Sequence, residues 1–95
     1  MLKKLDPLLH SQLRLAIISL LIGLKKAEFT YLKEKTNTSS GNLSIQLDKL
    51  KKAKYITIVK SYKGNYPVTT CQITDIGIKA FEEYVNDLRE YLHIK

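Results

Sequence analysis

Ser39, Ser40, Asn42, Ser44, Gln46 and Lys49 are threaded between Leu43, Leu47 and Leu50, which recur at i, i+4, i+7. The leucine spacing marks one face of a helix, so the polar side chains stand on the remainder of its surface. A carboxamide such as that of Asn42 or Gln46 offers a donor and an acceptor side by side, the pattern that matches an adenine edge, and a serine hydroxyl can serve a base or a phosphate. Lys33, Lys49, Lys60 and Lys63 add ammonium groups suited to phosphate oxygens. This is chemistry of hydrogen bonding and ion pairing. Bond-breaking chemistry lacks its parts: the chain has no Ser/His/Asp or Cys/His set, no paired carboxylates, no phosphate-cradling loop and no metal-ligand spacing. His10 and His93 lie near opposite ends, and the single cysteine, Cys71, reads as a small strand residue. We therefore expect no enzyme, no metal and no cofactor.

The elements that position these residues must come from one small core. Ninety-five residues, 44% hydrophobic and 26% charged, suit one globular domain spanning 1–95. The longest apolar run, Leu15 to Leu24, is about half of the ~20 residues a membrane span needs. No signal-like cleavage pattern follows it, and the lone cysteine suits a reducing compartment, so a cytoplasmic location is expected. The net charge of +7 is segregated: residues 24–66 hold ten lysines against three acids, whereas 67–95 hold three basic residues against five acids. A concentrated basic segment attracts a polyanion.

Pro7 suits a first helical turn, and the apolar spacing from Leu8 predicts a helix over 7–24, ending through Gly23 and Lys25–Lys26. Leu8, Leu15, Ile18 and Ile22 form a second apolar stripe beside Leu9, Leu13, Ala16, Ile17, Leu20 and Leu24. A helix apolar nearly all round needs cover on more than one face, and contact with a partner chain would supply it. After a short extended stretch at Ala27–Phe29, Thr30 can cap a second helix over 30–36. The turn cluster Asn37–Gly41 introduces the leucine-bearing helix over 39–53. Two alternating β-branched runs within 55–74, joined by Lys63-Gly64-Asn65-Tyr66, read as a hairpin. Thr74 then caps a helix over 75–92, where Ile78, Phe81, Val85, Leu88 and Leu92 follow the spacing of a pairing seam. The fold class is α+β, mostly helical: helix, short strand, helix, tight turn, helix, hairpin, helix.

The run Thr38 to Ile56, with its N-L-S-x-x-L-x-x-L core at Asn42–Leu50, resembles the recognition helix and exit of winged-helix regulators related to the MarR and ArsR families. Pro67, Thr69, Ile73-Thr74 and Gly77 are similar to the P-x-T-x-x-x-L-T-x-x-G that leads such proteins into their last helix. The chain departs from the pattern at Lys54, where glycine is usual in a left-handed conformation, and at Val68, where a basic residue is common. The resemblance implies a winged helix-turn-helix that binds double-stranded DNA at an inverted-repeat operator as a homodimer and acts as a transcriptional repressor. Ser39, Ser40, Asn42, Ser44 and Gln46 would face the major groove, with Asn42 and Gln46 reading bases. Lys33, Lys49, Lys60 and Lys63 would meet phosphates, and the wing tip, with Asn65 and Tyr66, would follow the backbone or minor groove. Leu8, Leu15, Ile18, Ile22, Ile78, Phe81, Val85, Leu88 and Leu92 would form the dimer interface. No residue demands a small-molecule effector; one would lodge between the first and last helices.

Two rivals use the same fold. A protein-interaction module would expose apolar or aromatic anchors on the third helix and wing. A reader of single-stranded RNA would need exposed aromatic platforms that the recognition segment lacks.

Overall fold

Two hydroxyl caps set the helices that matter most. Ser39 Oγ accepts from the Asn42 amide at 3.1 Å and opens a helix over Ser40–Lys52, and Thr74 accepts from the Gly77 amide at 3.0 Å and opens one over Asp75–Leu92. Each such cap contributes ~1 kcal/mol by satisfying a helix-end donor. In the computed structural model, which describes residues 2–93, the full order is α1 (Gln12–Leu24), β1 (Lys26–Glu28), α2 (Phe29–Thr36), α3 (Ser40–Lys52), β2 (Ile56–Lys63), β3 (Tyr66–Ile73) and α4 (Asp75–Leu92). Met1, Ile94 and Lys95, counted above in the 1–95 domain, lie outside the described residues. The strands form one antiparallel sheet in the order β1-β3-β2. This is the α+β winged-helix architecture.

Several boundaries differ from the spacing-based expectation. The first helix starts at Gln12, not Pro7. Asp6 closes a separate turn, its carboxylate accepting from the Leu8 amide and its carbonyl from the His10 amide, both at 2.8 Å. Ser11 is then extended, with φ −149°, before α1 begins. The break lets Leu9 bury completely and leaves the Leu8 carbonyl to accept from Arg14 Nε at 2.6 Å. At its other end α1 runs through Gly23, and Lys25 carries the exit turn with φ 70°. Helix α2 begins one residue early, at Phe29, so Thr30 lies inside it and the capping position falls to Glu28, whose side chain makes no cap bond.

The core corrects the account of α1. Ile17, Ile18 and Leu21 are completely buried, because α1 is surrounded by α2, α3, α4 and the β1–β3 part of the sheet. Its all-round apolar character is thus met largely within the chain. Ile18, expected at a dimer interface, is a core residue, whereas Leu8, Leu15 and Ile22 are only half-buried. Leu43, Leu47 and Leu50 of α3 pack into the same core with Leu9, Leu32, Ile56 and Cys71. Burial also pushes the Cys71 thiol up to about 11, which leaves it protonated and unreactive at neutral pH.

The corner where α3 hands over to the hairpin and α4 is tightly built. Lys54 takes φ 66°, the left-handed conformation expected there. The Thr74 hydroxyl reaches back to the Lys54 carbonyl at 2.6 Å, and the Thr74 amide donates to the Tyr55 carbonyl at 3.1 Å. Gly77 is buried at this point: a Cβ there would fall inside van der Waals distance of the Tyr55 carbonyl and 2.9 Å from Ile73 Cδ1. Gly77→Ala should therefore destabilise the fold by about 2–3 kcal/mol, the cost of overpacking against backbone. Lys54→Gly should stabilise it by about 0.5–1 kcal/mol, the left-handed strain relieved less the entropy that glycine adds to the unfolded chain. Urea unfolding midpoints measure both, and a neutral Gly77→Ala would contradict the packing described.

Candidate nucleic-acid interface

With the three leucines turned inward, α3 presents Gly41, Ser44, Ile45, Asp48, Lys49 and Lys52 to solvent. Ser40 and Asn42 are also exposed, near its start. Ser39, also exposed, accepts the Asn42 amide at its Oγ as the cap and keeps its hydroxyl proton to donate. Asp48 and Lys52 pair at 3.0 Å across one turn, an exposed contact worth a few tenths of a kcal/mol.

The two carboxamides are not free. Asn42 Nδ2 donates to Thr38 Oγ1 at 3.1 Å, Gln46 Nε2 donates to Asn42 Oδ1 at 3.2 Å, and Arg14 Nη1 donates to Gln46 Oε1 at 2.6 Å. The result is a polar chain running from the Leu8 carbonyl through Arg14, Gln46 and Asn42 to Thr38. Each amide keeps one proton and one lone pair unused along this chain. Asn42 can spend them outward. Gln46 is half-buried on the flank that faces α1, so it is placed to orient Asn42 more readily than to enter a groove. Arg14 is the participant that the sequence reading missed. Its signal was there, as the one charged residue in an otherwise apolar helix.

The hairpin divides its residues by face. Side chains alternate along a strand, and the register Ile56↔Ile73, Ile58↔Cys71, Lys60↔Thr69, Tyr62↔Pro67 puts Lys60 and Tyr62 on the face that continues from the core. There Lys60, Ile58 and Thr69 share a groove with Ser44, Asp48 and Lys51 of α3. Lys63 and Tyr66 lie on the other face. Lys63 Nζ sits 2.6 Å from Glu28 Oε2 of β1, so this lysine, expected at the wing tip as a phosphate contact, folds back across the sheet. Gly64 alone takes positive φ in the turn, 61°, the glycine-first pattern of a two-residue hairpin loop, and Asn65 completes it. Tyr62 and Tyr66 are 74% and 77% exposed. Lys33 is exposed on α2, one residue after buried Leu32.

Along α4, Gly77 and Tyr84 are buried, and Ala80, Phe81 and Leu88 pack against the core. The remaining seam positions differ: Ile78 is exposed, Val85 half-buried, and Leu92 73% exposed. The Tyr84 hydroxyl meets His10 Nδ1 at 3.0 Å, tying α4 to the turn before α1. Among the described residues no three His, Cys, Asp or Glu side chains gather as a metal site requires, and no helix is long and apolar enough to cross a membrane.

Comparison with known proteins follows the same lines. Residues 13–92 match the winged helix DNA-binding domain family. An uncharacterised protein of Methanocaldococcus jannaschii is 38% identical over 79 residues, covering 83% of this chain and 86% of that one. Among solved structures, a transcriptional regulator homologue from Pyrococcus horikoshii superposes with a TM-score of 0.84 at 24% identity, covering 90% of this chain and 84% of that one. ZitR of Lactococcus lactis, a zinc-responsive MarR family member solved in complex with DNA, superposes with a TM-score of 0.68 at 17% identity, covering 97% of this chain and 62% of its own.

The Arg14 link has a local test. Arg14→Ala should release the Gln46 carboxamide, seen as a shift of its side-chain amide resonances and of the connected Asn42 amide resonances, with Leu43 and Leu47 methyl signals little changed. Unmoved Gln46 resonances would contradict the link.

Proposed function

The chain belongs to the winged helix DNA-binding domain family, and we propose that it binds double-stranded DNA sequence-specifically as a homodimer and represses transcription by occupying its operator. The fold is the DNA-binding fold of MarR-like transcriptional regulators. The observation that carries the finer reading is the groove where α3 meets the hairpin: Ser44, Asp48 and Lys51 of α3 lie there with Lys60 of β2, and Lys49 is exposed on the outer face of the same helix. The major groove, about 12 Å wide, admits such a helix, and the hairpin beside it can follow the neighbouring backbone. Asn42 and Ser44 are the base-facing residues, Ser40 and the lysines the phosphate-facing ones, and Gln46 acts by holding Asn42. ZitR, which shares the fold, is solved in complex with DNA, and this supports DNA as the partner.

The dimer reading rests on Ile78, Val85 and Leu92, an apolar stripe of α4 that the chain leaves partly open, and on the apolar residues Leu8, Leu15 and Ile22, which are only half-buried. Two copies joined there would meet two half-sites of an inverted repeat about one helical turn apart. A cytoplasmic setting accords with DNA binding. The protein-interaction reading keeps one specific observation in its favour: Ile45, Val59, Tyr62 and Tyr66 are exposed on α3 and the wing.

Salt separates the two readings. Several lysine–phosphate contacts give a slope of log K against log salt near −0.9 per contact, so affinity for duplex DNA should fall by orders of magnitude between about 50 and 200 mM salt. Weak, salt-insensitive binding would sink the proposal. Lys60→Ala should weaken binding to all sequences alike and flatten the slope by about one unit, whereas Lys63→Ala, which removes a lysine already paired with Glu28, should do less. For assembly, Val85→Glu with Leu92→Glu should give monomers by sedimentation without unfolding the chain. An unchanged sedimentation coefficient would remove α4 from the interface.

A further inference from the structure

Two outward residues of α3 cost the helix stability and return nothing within the chain. Ile45 is 55% exposed. As a β-branched residue it is a poorer helix former than the lysine, glutamate or glutamine usual on a solvated face. Gly41 lies one turn before it on the same side, and a Cβ there would meet nothing within 4 Å. Its φ is not in the left-handed range, so neither packing nor backbone conformation requires glycine at this position. The pair makes a gap beside an apolar knob. Lys49 follows Ile45 by one turn, while Lys52, two turns on, is paired with Asp48; Lys49 and the basic middle of the chain suit a polyanion better than an apolar protein surface.

We propose that Ile45, approached closely through the gap at Gly41, is a specificity-determining residue that packs on the C5-methyl group of a thymine in the major groove. This rests on the DNA-binding reading above. The thymine methyl is the apolar group that the major groove displays, and an aliphatic side chain is its natural partner. Asn42, three residues before Ile45, keeps a proton and a lone pair for an adenine edge nearby, so the two together would favour an A·T-containing step.

Deoxyuridine tests the contact, because it lacks only the methyl and keeps every hydrogen-bonding group of thymine. Duplexes carrying a site selected from genomic fragments would be compared with duplexes in which single thymines are replaced by deoxyuridine. For the unaltered protein, replacement of the contacted thymine should weaken binding about fourfold, the value of one buried methyl. Ile45→Ala should weaken binding to the thymine site by a similar factor and bind the two duplexes equally. Gly41→Ala should raise the thermal midpoint while lowering affinity for the same site. Ile45 makes no core contact and alanine is the stronger helix former, so Ile45→Ala should fold, which circular dichroism checks. Salt-dependent binding with no deoxyuridine effect at any position, or with the same effect in Ile45→Ala, would overturn this inference and leave the DNA-binding reading standing. Absence of salt-dependent duplex binding would overturn both.

Discussion

Burial of the ridge Leu43, Leu47 and Leu50 decides what α3 can offer to anything outside the molecule. These are its core contacts, each at most 2% exposed, and losing a buried leucine side chain costs about 2–5 kcal/mol. A rotation of the helix by even one residue position would expose part of the ridge, and no polar contact on the opposite side could compensate. The outward set, Gly41, Ser44, Ile45, Lys49 and Lys52, follows from that one requirement. So does the fate of Gln46. On the border between the buried and wet faces, it meets Arg14, the polar side chain that α1 turns toward it.

The remainder of the fold holds this helix in place through contacts remote from its exposed surface. Thr74 and Gly77 lock α4 against the residues that leave α3, and β3 carries both the hairpin and the small strand β1. Helices α1, α2 and α3 each end close to a non-glycine residue at positive φ: Lys25, Asn37 and Lys54. Asparagine tolerates that conformation; a lysine there costs of order 1 kcal/mol, partly offset by favourable charge near a helix C-terminus. Short exits keep the helices close, and two of them add to the basic middle of the chain.

Element order was legible because each helix and strand carries its own period, and the Ser39 and Thr74 caps sit where hydroxyl residues precede apolar spacing. The start of α1 was not, since Pro7 fits a helical turn and the break depends on Ser11 being drawn extended while Leu9 buries. Ile18 was misplaced because periodicity shows that a helix is apolar on several faces but not whether its own chain or another covers them. Within the site, exposure of Ser40, Asn42, Ser44 and Lys49 followed from leucine spacing alone. The capture of Gln46 by Arg14 and of Lys63 by Glu28 joins residues 32 and 35 positions apart, and nothing local in the sequence encodes such pairs. Ile45 has no part in the reading of α3 from its leucines and polar residues, although its position opposite the leucines could have singled it out.

On the proposed function, one surface, the outer face of α3 with the α3-side of the hairpin, is the part of the molecule that meets DNA. Titration of isotopically labelled protein with a bound duplex, followed residue by residue through backbone amide resonances, tests that most directly. The largest shifts should fall on Gly41, Ser44, Ile45, Lys49 and Lys60, with Val68 and Thr70 on or near the opposite side of the sheet nearly unmoved. Shifts confined to α4 and the N-terminal turn, with α3 silent, would contradict the account.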